Sequence, residues 1–117
     1  MSSTKSFKNL IVWQKSLKLA ILIYKLTKKF SVDEKFGLIS QMRRCSVSIP
    51  SNIAEGSKRK TKKDFAQFLR IASGSAAELE TQLIISKEIY QKIEFKEVFS
   101  LLLEIQKMLT VIIKRTN

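Results

Sequence analysis

Five cations crowd one short stretch, Ser57 to Lys63 (SKRKTKK): Lys58, Arg59, Lys60, Lys62 and Lys63, with little acid nearby beyond Asp64. Lysine and arginine gathered this way suit phosphate neutralisation, where each contact releases condensed counterions. Thr61 and Asp64 have capping-box spacing, so the last cations of the run should lie at a helix N-terminus, where backbone N–H groups also favour anions. No aromatic residue interleaves the cluster. The expected contact is therefore with the sugar-phosphate backbone, weak in sequence preference, rather than stacking on bases. A second basic set, Lys15, Lys18, Lys25 and Lys29, falls on one arc of a helix. It reads either as a phosphate-contacting stripe or as a solvated face.

Enzyme chemistry fares badly by comparison. The chain has no histidine, which removes the commonest general base and the Glu-x-x-His pairs of bundle di-metal sites. No glycine-rich loop opens a helix as a phosphate cradle. Cys45 shares an apolar stripe with Met42 and Ile49, and reads as a small buried hydrophobe rather than a nucleophile. Glu55, Glu78 and Glu80 would suit a divalent ion. The preferred reading pairs Glu55 and Glu78 with Arg43, Arg44 or Arg59 across the second and third helices, in a structural polar network that also takes in Asn52. No catalytic residue, cofactor or metal is expected. A single cysteine also excludes a disulfide within one chain and fits a reducing compartment.

Stepping outward to the elements, 117 residues make one domain, and an apolar fraction of 44% is ordinary for a folded chain. Twenty-two basic residues against ten acidic give a net charge of +12, and the pI is near 10.0. Such an excess favours anionic partners, nucleic acid before membrane surfaces. The opening MSSTKSFKNL lacks the apolar core of a signal peptide, and the longest apolar run, Leu19 to Tyr24, is far short of a membrane span. A cytoplasmic protein is expected.

With Gly 3 and Pro 1 there is little punctuation, and apolar residues recur at three and four. The fold class is all-α, an antiparallel up-and-down four-helix bundle, with helices over about residues 9–29, 33–57, 62–91 and 95–114. The first helix is read with Leu10, Trp13, Leu17, Ala20 or Ile21, and Tyr24 facing the core, closed by Phe30. Its run Leu19 to Tyr24 is apolar on nearly every side, which suggests a subunit interface as well. Ser31 and Glu34 form a capping box for the second helix. In that helix Met42, Cys45, Ile49 and Ile53 make the core stripe, while Gln41, Arg44, Ser48, Asn52, Glu55 and Arg59 make a polar one. Pro50 should kink it, and Gly56 is placed to end it. In the third helix Gly74 costs about 1 kcal/mol against alanine, and close approach of another helix is the expected compensation. The fourth has a seam of Phe95, Val98, Leu102, Ile105, Leu109 and Ile112, with Leu101 and Met108 off it.

Three runs resemble a known family: FKNLIVWQKSLKLAILIYKLT, FGLISQMRRCSVSIPSNIAEGSKR and DFAQFLRIASGSAAELETQL. Together they are similar to the bacterial four-helix-bundle proteins encoded in intervening sequences of 23S ribosomal RNA genes. The likeness covers Phe7 to about Leu83, with SIPSNIAEG and FLRIASGSAAELET its most specific parts, while the tail after Gln91 has only generic bundle patterning. Where such proteins often have Phe-Pro before the second helix, this chain has Phe30-Ser31. The resemblance implies an up-and-down bundle in a cyclic homo-oligomer, with a pentamer as the expected form, and no enzyme. A relative in the same superfamily is the accessory protein of diversity-generating retroelements, which is basic, pentameric, and binds nucleic acid and a reverse transcriptase.

Two functions follow as expectations. One is a non-enzymatic, oligomeric nucleic-acid-binding protein, with RNA favoured over DNA by the family's coding context. In it, repeated basic loops act by avidity. The other is a protein-interaction scaffold that recruits a partner such as a reverse transcriptase. A membrane-surface role for the first helix ranks behind both.

Overall fold

The computed structural model describes residues 6–116. Four helices account for most of it: α1 (Ile11–Thr27), α2 (Leu38–Ser57), α3 (Lys62–Ile89) and α4 (Lys96–Thr116). Each packs against two neighbours, α1 on α2 and α4, and α3 on α2 and α4, while diagonal pairs do not meet. That is an up-and-down bundle, drawn out to 47 × 20 × 19 Å. α2 and α3 share the most extensive contact.

The stripes of α2 and α4 are placed as their spacing predicts. Met42, Cys45, Ile49 and Ile53 are buried, as are Phe95, Val98, Leu102, Ile105 and Leu109. Leu101 joins them instead of standing off the seam, and Ile112 is half-buried. At the far end of the bundle Phe30 stacks on Tyr90 with ring centroids 4.3 Å apart, and the Tyr90 hydroxyl accepts from Ser31 N.

α1 departs from expectation by a rotation of about one residue. Its buried face is Val12, Ser16, Leu19, Ala20, Ile23, Leu26 and Thr27, whereas Leu17, Ile21 and Tyr24 are exposed. Two polar residues on the true core face disguise it in the sequence. Both are satisfied within their own helix: Ser16 Oγ donates to Val12 O at 2.6 Å, and Thr27 Oγ1 to Ile23 O at 2.7 Å. A hydroxyl that back-bonds to the preceding turn is buried at little cost.

α2 begins at Leu38, later than the capping pattern suggests. Ser31 Oγ accepts from Asp33 N and opens only a 3-10 turn over Val32–Glu34. Glu34 reaches forward instead of back, its Oε1 accepting from Leu38 N. Helical geometry continues through Pro50, which is buried, and Asn52 Nδ2 donates to Ser48 O in the same region.

The two helical glycines exchange the roles read from the sequence. Gly74 is exposed, and a Cβ added there would meet nothing within 4 Å, so no helix approaches it. Gly56 does not end α2 through a left-handed conformation, since no glycine among the described residues has positive φ. A Cβ at Gly56 would stand 2.7 Å from Phe68 Cβ and 2.9 Å from Phe65 Cδ1. The missing side chain therefore lets the end of α2 lie directly on the start of α3.

Candidate nucleic-acid interface

The loop Lys58 to Thr61 that joins α2 to α3 positions the basic cluster at one tip of the bundle. Lys58 N and Arg59 N donate to Glu55 O and Gly56 O, so the chain leaves α2 through a tightened turn. Thr61 Oγ1 then accepts from Asp64 N and caps α3, as its spacing predicts. Lys58, Arg59, Lys60, Lys62 and Lys63 are all exposed.

Their surroundings differ one from another. The Arg59 guanidinium pairs with Glu55 one turn back and lies 4.6 Å over the Phe68 ring. It is anchored and partly neutralised. Lys58 Nζ stands 5.9 Å over the ring of Phe7. Lys60, Lys62 and Lys63 have no ion pair among the described residues. The up-and-down topology brings the exposed Lys8, Lys114 and Arg115 to the same end. The opposite end mixes Lys25, Lys28, Lys29, Lys35, Lys87, Lys92 and Lys96 with Asp33, Glu34, Glu88, Glu94 and Glu97.

The lysines of α1 do not extend this patch as one stripe. Lys15 Nζ pairs with Glu104 of α4 at 2.9 Å. Lys18 lines a recess shared with Glu94, Glu97 and Glu104. Lys25 and Lys29 lie near the other end of the rod. A cavity of about 880 Å³ also lies at that other end. Glu88 and Glu94 offset Lys87 and Lys96 in its wall.

The structural polar network takes a different form from the one expected. Arg43 turns toward α1: its Nε donates to Thr27 Oγ1 at 3.0 Å, and its guanidinium lies 4.6 Å over the Tyr24 ring. Glu55 pairs with Arg59 of the adjoining loop, not across to α3. Arg44 and Glu78 are exposed and form no ion pair among the described residues. The link between α2 and α3 is instead neutral. Ser48 Oγ meets Ser75 Oγ at 2.9 Å, and Asn52 Nδ2 donates to Ser48 Oγ at 3.0 Å.

Cys45 is buried, and desolvation raises its thiol pKa, partly opposed by the Gln82 amide, which donates to Sγ at 3.5 Å. A buried neutral thiol is inert. The Oε1 of Gln82 is buried without a hydrogen-bond partner. No cluster of three or more His, Cys, Asp or Glu that would hold a metal occurs among the described residues.

Sequence distance hid one feature of the tip. Phe7, in a 3-10 turn before α1, packs edge-on against Trp13 and borders the basic loop, where Phe65 of α3 also lies. Aromatic residues absent from the cluster's own sequence are supplied by other elements.

These features define a basic four-helix bundle whose net positive charge is weighted to one end. The chain belongs to the 23S rRNA-intervening sequence protein family, whose sequence model matches residues 8–111. It is similar to a crystal structure of a protein of unknown function from the S23 ribosomal protein family of Bacteroides thetaiotaomicron. The TM-score is 0.78 at 29% identity, over 89% of this chain and 99% of that one. No curated protein matches the chain. No helix among the described residues is long and apolar enough to cross a membrane.

Proposed function

We propose that this protein is a non-enzymatic, cytoplasmic nucleic-acid-binding protein that engages RNA in preference to DNA through the tip formed by the α2–α3 loop. The supporting observation is the gathering of Lys58, Lys60, Lys62 and Lys63 at one end of a 47 Å rod, joined there by Lys8, Lys114 and Arg115. Phosphates gain most from cations that have no carboxylate partner. The preference for RNA rests on the family's association with a ribosomal RNA gene.

The protein acts in this reading as a homo-oligomer, with a pentamer as the expected form. The exposed α1 residues Leu17, Ile21 and Tyr24 supply an apolar flank for packing between copies. A second reading, recruitment of a partner protein, draws on the exposed Ile84, Ile85 and Ile89 of α3.

The test is binding of structured RNA and matched duplex DNA across a salt series, for the parent and for the combined variant Lys60→Glu, Lys62→Glu, Lys63→Glu. These three lysines have no ion pair among the described residues. Parent binding should fall steeply with salt, and the variant's log–log slope should be shallower by about 2, roughly 0.7–0.9 for each lost phosphate contact. Unchanged affinity and slope would refute the assignment. Loss of binding to a partner protein with RNA affinity intact would favour the scaffold.

A further inference from the structure

The tip contains a cavity of about 380 Å³, within the range of small-molecule sites. Phe7, Leu10, Gly56 and Phe65 give it an apolar floor, and Lys58, Lys60 and Lys62 line its edge. Phe7 packs against Trp13 in a T-shaped pair, with ring centroids 5.2 Å apart and planes 70° apart. The Lys58 ammonium stands 5.9 Å over the Phe7 ring. An exposed cation–π contact of that length is weak, and the lysine stem is long enough to swing aside.

A flat apolar floor beneath a cationic rim matches a planar ring joined to a phosphate. We propose that this pocket takes one unstacked nucleotide of a single-stranded RNA segment. The base lies on Phe7 and Phe65, and its phosphate is met by Lys58, Lys60 and Lys62. The inference rests on the nucleic-acid reading above and narrows it. Bases in a duplex are stacked inside the helix and cannot reach the floor, so the tip distinguishes unpaired from paired RNA. This reading departs from the sequence-based expectation of backbone contact alone, because Phe7 of the turn before α1 and Phe65 of α3 both border the loop.

Trp13 is the one tryptophan of the chain, and its contact with Phe7 makes it a reporter of the pocket. The experiment titrates the protein with a labelled single-stranded oligoribonucleotide and with a blunt-ended, fully paired RNA duplex of equal total charge. It follows ligand anisotropy and Trp13 emission together. The single strand should bind and shift Trp13 emission, while the duplex should bind without shifting it. Phe7→Ala should weaken the single strand about tenfold and leave the duplex unchanged. Phe7→Tyr should keep the affinity, and Phe7→Leu, apolar but without a π-face, should behave as the alanine variant.

Equal losses for both ligands, or binding of the single strand with Trp13 emission unmoved, would overturn the base pocket and leave the phosphate-binding tip standing. Failure of both RNAs to bind at low salt would overturn both readings. If Phe7→Ala does not fold, the comparison of single strand and duplex on the parent protein still decides the matter.

Discussion

Gly56→Ala and Gly74→Ala are the same substitution on neighbouring helices, and the packing around them dictates opposite signs. Alanine is favoured over glycine in a helix interior by about 1 kcal/mol. At Gly74, midway along α3, an added methyl meets nothing within 4 Å. Gly74→Ala should therefore gain most of that, about 0.5–1 kcal/mol. Gly56 lies in the last turn of α2, where the propensity gain is smaller, and its methyl would fall 2.7 Å from Phe68 Cβ and 3.3 Å from Phe65 O. Those atoms are fixed to the α3 backbone and cannot swing away, and carbon contacts are favourable only from about 3.5 Å. Relief requires α2 and α3 to part, and overpacking of this kind costs about 1–3 kcal/mol. Gly56→Ala should thus lose about 1–2 kcal/mol net, placing the two variants about 2 kcal/mol apart. Urea unfolding followed by far-UV circular dichroism resolves that gap, and melting midpoints should move in opposite directions by a few degrees. The measurement is made at two protein concentrations, so that any contribution of self-association is seen. A Gly56→Ala protein as stable as the parent, or a Gly74→Ala protein less stable at both concentrations, would refute the packing argument.

Two further outcomes concern the buried polar groups between α2 and α3. Gln82→Met keeps the side chain's length and removes a carboxamide oxygen that is buried without a partner. It should stabilise the fold by about 1 kcal/mol in the same urea assay, since an unsatisfied buried acceptor costs about 1–3 kcal/mol. Cys45 has a thiol pKa raised chiefly by burial. Its contribution is fully present below the ordinary thiol pKa, where both folded and unfolded states are protonated. It is lost as pH rises from there through the folded value, because the unfolded thiol ionises first. Stability measured across alkaline pH should accordingly decline more steeply in the parent than in Cys45→Ala, and an identical decline in both would count against a buried neutral thiol.

Much of the architecture could be read from spacing alone, and the misses have particular causes. The stripes of α2 and α4 are legible because their buried positions are almost all apolar, and Thr61 because a side-chain cap is a local interaction. The face of α1 was misjudged where Ser16 and Thr27 turn their hydroxyls back to their own helix and pass into the core. Gly56 and Gly74 were exchanged because a glycine's spacing says nothing about which neighbour lies over it. The basic loop was found by its own sequence, but its aromatic floor was not. Phe7 reaches Lys58 only through the bundle's topology, which brings the start of α1 beside the end of α2. The dispersal of the α1 lysines has the same origin, since Glu104 beside Lys15 and Glu97 beside Lys18 belong to α4.

The rod's uneven ends give the molecule a direction. In the field of a polyanion, a body 47 Å long and about 20 Å wide with its net positive charge weighted to one tip feels a torque as well as an attraction. It turns to arrive end-on, and the flanks stay clear of the ligand. Copies packed side by side with their tips aligned would bring like charges together, and those charges oppose the alignment until a polyanion spans them. Ligand and assembly are then thermodynamically linked, each lowering the cost of the other. Copies packed with tips opposed would have no such linkage. On the proposed nucleic-acid reading, the orientation of neighbouring rods would decide whether an assembly collects its ligand on one face or presents it at two.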